Sequence, residues 1–146
     1  MSLAHENCIF CKIIAGRIPA FIVYQDADFV AFLDSHPLFP GHVLLSPRNH
    51  YETLLDLPAD LSCAAMANTQ LLAKAVETSM QAHGTFIAVN NRVSQTVPHL
   101  HIHIVPRRRK DGLKGFFWPR QSYKDDSDRE TVRTAIQSEV KRLTTA

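Results

Sequence analysis

Three histidines stand at alternate positions in His99-Leu100-His101-Ile102-His103-Ile104-Val105. Period two is the strand period, so an extended chain turns His99, His101 and His103 to one face and Leu100, Ile102 and Ile104 to the other. The aliphatic face can enter a core and hold the strand rigid while three imidazoles are presented side by side. A lone strand histidine is ordinarily a hydrogen-bonded core residue. Three on one face, each needing a polar partner, mark a site. A neutral imidazole has one protonated and one bare nitrogen, and its unperturbed pKa of about 6.5 leaves it largely neutral at cellular pH. If a backbone carbonyl of the strand accepts the Nδ1 proton of His101, its Nε2 is free to act as a nucleophile.

A second chemical signal is Cys8-Ile9-Phe10-Cys11. Such a pair is a metal half-site, a redox pair or two packed thiols. No thioredoxin-like βαβ pattern surrounds it, which disfavours redox use. A closed structural zinc site needs four ligands, so two more would come from elsewhere in the chain. Asp34 ends an apolar run before Ser35-His36-Pro37, where a turn carboxylate bonding its own backbone is the plain reading. The basic run Arg107-Arg108-Arg109-Lys110 continues through Lys114, Arg120 and Lys124. A solvated loop is the default for such a run, with a polyphosphate or nucleic-acid contact as the alternative. Phe116-Phe117-Trp118-Pro119 interleaves it with rings that suit covering a sheet or a partner better than stacking on bases.

The elements that must position these residues are legible from pattern. Lys12 to Gly16 reads as a helical turn ended by glycine. Phe21 to Tyr24 and Phe29 to Leu33 are β-rich runs joined by a hairpin signal at Gln25-Asp26-Ala27-Asp28. His42 to Ser46 follows the turn Leu38-Phe39-Pro40-Gly41 as a third strand. Pro58 to about Gln81 is a long helix, with Leu61, Ala65, Asn68, Leu72, Val76 and Met80 on one face. Cys63 on that helix reads as an unpaired packing residue. Phe86 to Val89 is a fourth strand, and Pro98 to Pro106, carrying the histidines, a fifth. Asp126-Ser127-Asp128 offers N-caps for a last helix to about Leu143. These elements predict an α+β fold, one five-stranded antiparallel sheet with a long central helix and a C-terminal helix.

The chain of 146 residues fits a single domain with a sufficient core, and its hydrophobic share of 45% and charged share of 21% are ordinary. A formal net charge of +2 makes no general case for nucleic acid or membrane. No apolar run approaches a membrane span and the N-terminus lacks a signal-peptide segment, so a cytoplasmic protein is expected. An odd cysteine count of 3 fits metal binding in a reducing compartment better than a disulfide framework. Met1-Ser2-Leu3 reads as a possible expression remnant.

The run His-φ-His-φ-His-φ-φ, with Gln95-Thr96-Val97 before it and Pro106-Arg107 after it, resembles the signature of the histidine triad (HIT) family of nucleotide hydrolases and transferases. Phe29-Val30-Ala31-Phe32-Leu33-Asp34 and Pro40-Gly41-His42-Val43-Leu44-Leu45-Ser46-Pro47-Arg48-Asn49-His50 agree with it. The resemblance covers about residues 8–107, is strongest to zinc-bearing bacterial-type members, and fades over the extension 108–146. It implies cleavage at an α-phosphorus through a nucleotidyl-histidine intermediate, on dinucleoside polyphosphates or purine nucleoside phosphoramidates. The basic tail tilts the expectation toward the former. The resemblance further implies His101 as nucleophile, with His103 and Gln95 on the non-bridging oxygens, Thr96 on the leaving-group atom and Asn90 or Asn91 near the phosphate. Asp34 would take the ribose hydroxyls. Ile9, Phe10, Ile13, Phe32 and Leu33 would line the base slot, though each also suits an ordinary core. Zinc would sit on Cys8, Cys11, His50 and His99, and the partner would be a second copy meeting at the long helix and fourth strand. Two departures are plain: the loop Arg92-Val93-Ser94 before Gln95 is short and has no glycine, and the basic run Arg107-Arg108-Arg109-Lys110 follows the triad strand. Two other readings compete, a hydrolase with all three histidines on one catalytic metal, and a non-enzymatic zinc module binding nucleotide or nucleic acid.

Overall fold

Strands β2 (Phe29–Leu33) and β3 (Val43–Pro47) read as unbroken apolar runs because both their faces are covered. Phe29, Ala31, Val43 and Leu45 point to one side, with Ile102 and Ile104, and pack on Ala65, Leu72 and Val76 of a long helix. Val30, Phe32 and Leu44 point to the other side and meet Cys8 and Phe10. The computed structural model describes residues 6–113 and 121–145. Met1-Ser2-Leu3, Lys114, Arg120 and Phe116-Phe117-Trp118-Pro119 lie outside them.

Five strands form one sheet in the order β1-β2-β3-β5-β4, every neighbouring pair antiparallel. The others are β1 (Ile22–Gln25), β4 (Gly84–Ala88) and β5 (Ile102–Arg107). Helix α1 (Ile9–Ile14) covers the site face and α2 (Ala59–Ser79) the opposite face. Buried Ala65, Asn68, Leu72 and Val76 on α2 are the face expected from its periodicity. Cys63 is unpaired as expected but exposed, so it is not a core packing residue. Asn68 is buried at a polar cost met by Asp26, which accepts its Nδ2–H at 2.7 Å, so the β1–β2 hairpin is tied to the helix.

Two element boundaries correct the sequence reading. Helix α1 begins before Lys12 because the Cys8 sulfur caps it, accepting the Cys11 N–H at 3.4 Å. Thiols are outside the usual capping set, so the start was not visible as such. Strand β5 begins at Ile102 rather than Pro98. Pro98 has no N–H to give, and the Leu100 N–H goes to the Tyr51 carbonyl at 2.7 Å instead of to a strand ladder.

The chain divides into two compact units, 1–111 and 112–146. The second carries α3 (Asp126–Thr144), capped by the Asp125 side chain accepting the Asp128 N–H at 2.8 Å. It buries none of its residues, and Arg129–Asp126, Arg133–Glu130 and Arg142–Glu139 ion pairs run along it. Among the described residues, no helix is long and apolar enough to cross a membrane.

Candidate functional site

The three histidines share the site face of the sheet but have three different environments. His99 is fully buried and its Nε2–H donates to the Pro47 carbonyl at 2.9 Å. That bond leaves Nδ1 bare, directed at the Cys8 sulfur at 3.3 Å and the Cys11 sulfur at 3.5 Å. His50 Nδ1 lies 3.3 Å from the Cys11 sulfur. These four ligand atoms fall within 4.8 Å of one another. Tetrahedral zinc with two sulfurs and two nitrogens has S···N edges of about 3.5 Å, which is the spacing seen. Two soft sulfurs, two imidazoles and a carbonyl fixing one imidazole's tautomer fit a structural zinc. Burial and the adjacent Cys8 push the Cys11 thiol up to about 11. Without a cation the Cys11 thiol therefore stays protonated, and a bound metal would favour its thiolate.

His101 turns the other way along the same strand. Its Nδ1–H donates to the His99 carbonyl at 2.7 Å, so its Nε2 carries the lone pair. Phe10 stands edge-on to its ring at 5.1 Å between centroids, and the His103 ring lies 4.8 Å away.

His103 is held by a residue the sequence reading did not single out, His42. The Leu38 N–H donates to His42 Nδ1 at 3.2 Å, so the proton of neutral His42 is on Nε2. That N–H donates to His103 Nδ1 at 3.0 Å, which puts the His103 proton on Nε2. Burial, with His101 and His42 nearby, holds His103 down at about 4, and burial likewise lowers His42. Both are therefore neutral at cellular pH, and the relay delivers an N–H beside the bare Nε2 of His101. Asp34 lies 3.6 Å from His42 Nδ1, beyond hydrogen-bond reach. Asp34, His42 and His103 could be grouped as metal ligands, but both His42 nitrogens are already engaged. Strand alternation was the available signal: His42 shares the face of Leu44, whose partner across the sheet is His103.

A cleft of ≈ 800 Å³ opens over these rings. Ile9, Phe10, Ile13, Phe32 and Leu33 all line it, as do Asp34, Thr96, His101 and His103. Ile18, Pro19, Ala20, Phe21 and Val97 line it too, and the sequence reading does not place them at the site: it takes Phe21 as the start of a strand that begins at Ile22, and Val97 as a flank of the triad. Asp34 satisfies the plain reading with one oxygen, Oδ1 accepting the His36 N–H at 2.9 Å, and still borders the cleft. Asn90, Asn91 and Gln95 do not line it. Gln95 accepts the Arg92 N–H at 2.7 Å and donates to the Glu52 carbonyl at 2.6 Å. Asn91 accepts the Leu54 N–H at 3.0 Å, and Asn90 donates to the Ser94 carbonyl at 3.4 Å. The short loop is closed with Arg92 at φ 69° and Ser94 at φ 60°, the left-handed backbone a glycine would take without cost.

The basic run divides. Arg107 pairs with Asp111 through two bonds of 2.6 and 3.0 Å. Arg108 donates to the Met80 and Gln81 carbonyls at the end of α2, where a cation suits the helix dipole. Neither is directed at the cleft, whose described lining holds no lysine or arginine.

The HIT domain family model matches residues 15–110. The protein Hit of Bacillus subtilis is 36% identical over 140 residues, covering 94% of this chain and 95% of that one. An adenosine 5'-monophosphoramidase of Candida albicans is 32% identical over 125 residues, covering 82% of each chain. The crystal structure of a zinc-bound histidine triad family protein from Mycobacterium smegmatis superposes with a TM-score of 0.71 at 35% identity, covering 86% of this chain and 90% of that one.

Proposed function

Since the chain belongs to the HIT domain family, we propose that it is a nucleotide hydrolase cleaving at the α-phosphorus through a nucleotidyl-histidine intermediate on His101. The observation that carries this reading is the 2.7 Å bond from His101 Nδ1–H to the His99 carbonyl, which leaves Nε2 with its lone pair on the cleft-lining ring. In the first step Nε2 forms a bond to phosphorus and the leaving group departs with the electron pair of its own bond, accepting a proton from solvent while the Thr96 hydroxyl donates a hydrogen bond to it. Water then attacks phosphorus and gives up a proton to solvent, the phosphorus–nitrogen bond breaks with its electron pair returning to Nε2, and the nucleoside monophosphate leaves with neutral His101 restored. The Nε2–H of neutral His103 serves the non-bridging oxygens as charge builds there. Asp34 takes the ribose, and the apolar lining takes the base. Gln95 and Asn90 or Asn91 reach the phosphate in this scheme only by releasing the loop bonds they now make.

Among the two substrate classes, a phosphoramidate is favoured. The tilt toward dinucleoside polyphosphates rested on the basic run, and Arg107 and Arg108 are committed to Asp111 and the end of α2. A long anionic chain in a cleft without lysine or arginine among its described lining would be poorly neutralised. Zinc on Cys8, Cys11, His50 and His99 supplies a cross-link between the N-terminal segment and the sheet. A second copy is the proposed partner, supported by the open edge of β4 and by exposed Met66, Leu71 and Ile87. A cytoplasmic location remains part of the proposal, and neither membrane nor nucleic acid is required by it.

A fluorogenic adenosine phosphoramidate and a diadenosine polyphosphate, compared side by side, test the reading. Faster release from the phosphoramidate is expected. No turnover of either would leave the zinc-containing binding module as the better account. A single hydrolytic metal on all three triad histidines is not supported, because His101 belongs to neither group of converging ligands among the described residues.

A further inference from the structure

His99 stands in two networks at once. Its ring belongs to the Cys8–Cys11–His50–His99 cluster, and its main-chain carbonyl accepts the Nδ1 proton of His101. We infer that this cluster, filled by zinc, positions the nucleophile as well as fastening the N-terminal segment, with His99 and Phe10 as the positioning residues. The inference rests on His101 being the nucleophile.

The coupling is short, and each of its protein–protein links is observed. The His99 ring is fixed at both nitrogens, Nδ1 facing two sulfurs and Nε2 donating to the Pro47 carbonyl. The peptide unit that follows is pinned from the other end, since the Leu100 N–H donates to the Tyr51 carbonyl at 2.7 Å. The Leu100 carbonyl in turn accepts from the Ser46 hydroxyl at 2.9 Å. With ring and peptide plane both held, the His99 carbonyl has one direction to point, and that direction is the His101 ring. Phe10 supplies the apolar counterpart. It lies between the two cysteines in sequence, is buried, and meets the His101 ring edge-on. So the polar contact that selects the His101 tautomer and the apolar contact that limits its tilt both come from residues anchored by the same ligand set. Release of the ligands removes the anchor at His99 Nδ1 and the fastening of Phe10, leaving the His99 carbonyl held only through the Pro47, Tyr51 and Ser46 bonds. Among the described residues that carbonyl is the polar partner seen for His101 Nδ1. In the other tautomer Nε2 carries the proton and has no lone pair to offer. A misplacement of about 1 Å in a reacting group can cost on the order of a hundredfold in rate.

The test reads ring nitrogens, not turnover. In zinc-loaded protein, ¹⁵N NMR should show His101 as a single Nδ1–H tautomer. His50 contributes to the cluster but does not line the cleft, so His50→Ala removes a ligand without touching the nucleotide. That variant should lose zinc, bind adenosine monophosphate within about twofold of wild type, show mixed His101 tautomers, and form the adenylyl-His101 adduct at least about tenfold more slowly in a single turnover. His50→Cys restores a ligand and should restore zinc and tautomer together. A folded, zinc-free His50→Ala protein with an unchanged His101 spectrum would overturn the inference. Should that variant not fold, cadmium exchanged into wild type decides: longer metal–sulfur bonds should move the His101 Nδ1 resonance, and an unmoved resonance overturns it. Absence of hydrolysis on every nucleotide would instead sink the functional reading, leaving the spectrum to speak for the positioning.

Discussion

Each imidazole's role follows from which of its nitrogens is occupied. His99 gives Nε2–H to Pro47, His101 gives Nδ1–H to His99, and His103 accepts at Nδ1 from His42. One residue type thus presents three different bonding states on a single strand face, which the proposal assigns as ligand, nucleophile and donor. His101→Ala should abolish turnover while leaving zinc content, fold and nucleotide binding close to wild type, and rapid quenching of wild type should trap an acid-labile adduct that the variant lacks. Near-normal turnover by the variant would end the proposal. The low pKa of His103, about 4, also has a stability consequence. An unfolded chain binds a proton at this residue near pH 6.5 and the folded one does not until about 4, so acid favours unfolding across that window. The urea midpoint should therefore fall between pH 7 and pH 4.5, and fall less in His103→Gln. An identical fall in both proteins would show that other groups govern it.

Among elements, the end of α2 explains a charge run that otherwise suggests a ligand. Helix carbonyls left unpaired at the C-terminus need donors, and Arg108 reaches back from beyond β5 to supply them. Arg108→Ala should cost about 1 kcal/mol of stability and leave kcat/KM for a phosphoramidate unchanged. A large loss of kcat/KM with stability intact would return Arg108 to the substrate. The same reasoning accounts for α1, whose first turn is fixed by the Cys8 sulfur, so one atom both caps the helix and belongs to the Cys8–Cys11–His50–His99 cluster. Phe10 is thereby set between the cleft and the cluster.

For the whole molecule, the sheet buries β2, β3 and β5 and leaves β4 at an edge. Ile87 on that strand and Met66 and Leu71 on α2 are large apolar residues facing outward, a costly arrangement unless another surface covers them. Sedimentation of the wild type at micromolar concentration should report a dimer, and Met66→Lys with Ile87→Lys should shift it to monomer. A monomeric wild type would refute the second copy as partner.

Period-two alternation was enough to identify the triad face, and a 3.6 period enough to identify the buried face of α2, because both are local repeats imposed by backbone geometry. The five strands, the long helix and the α+β class were readable for the same reason. Three things were decided only in three dimensions. His42 became a partner of His103 through sheet register, over 61 residues of sequence. Arg107 and Arg108 were spent on Asp111 and a helix end, which no local pattern reveals. Cys8, Cys11, His50 and His99 were brought within 4.8 Å by packing α1 on the sheet. Local repeats determine which way a side chain faces. Which groups it meets there depends on long-range contacts, and the different tautomers of His99 and His101 follow from those meetings.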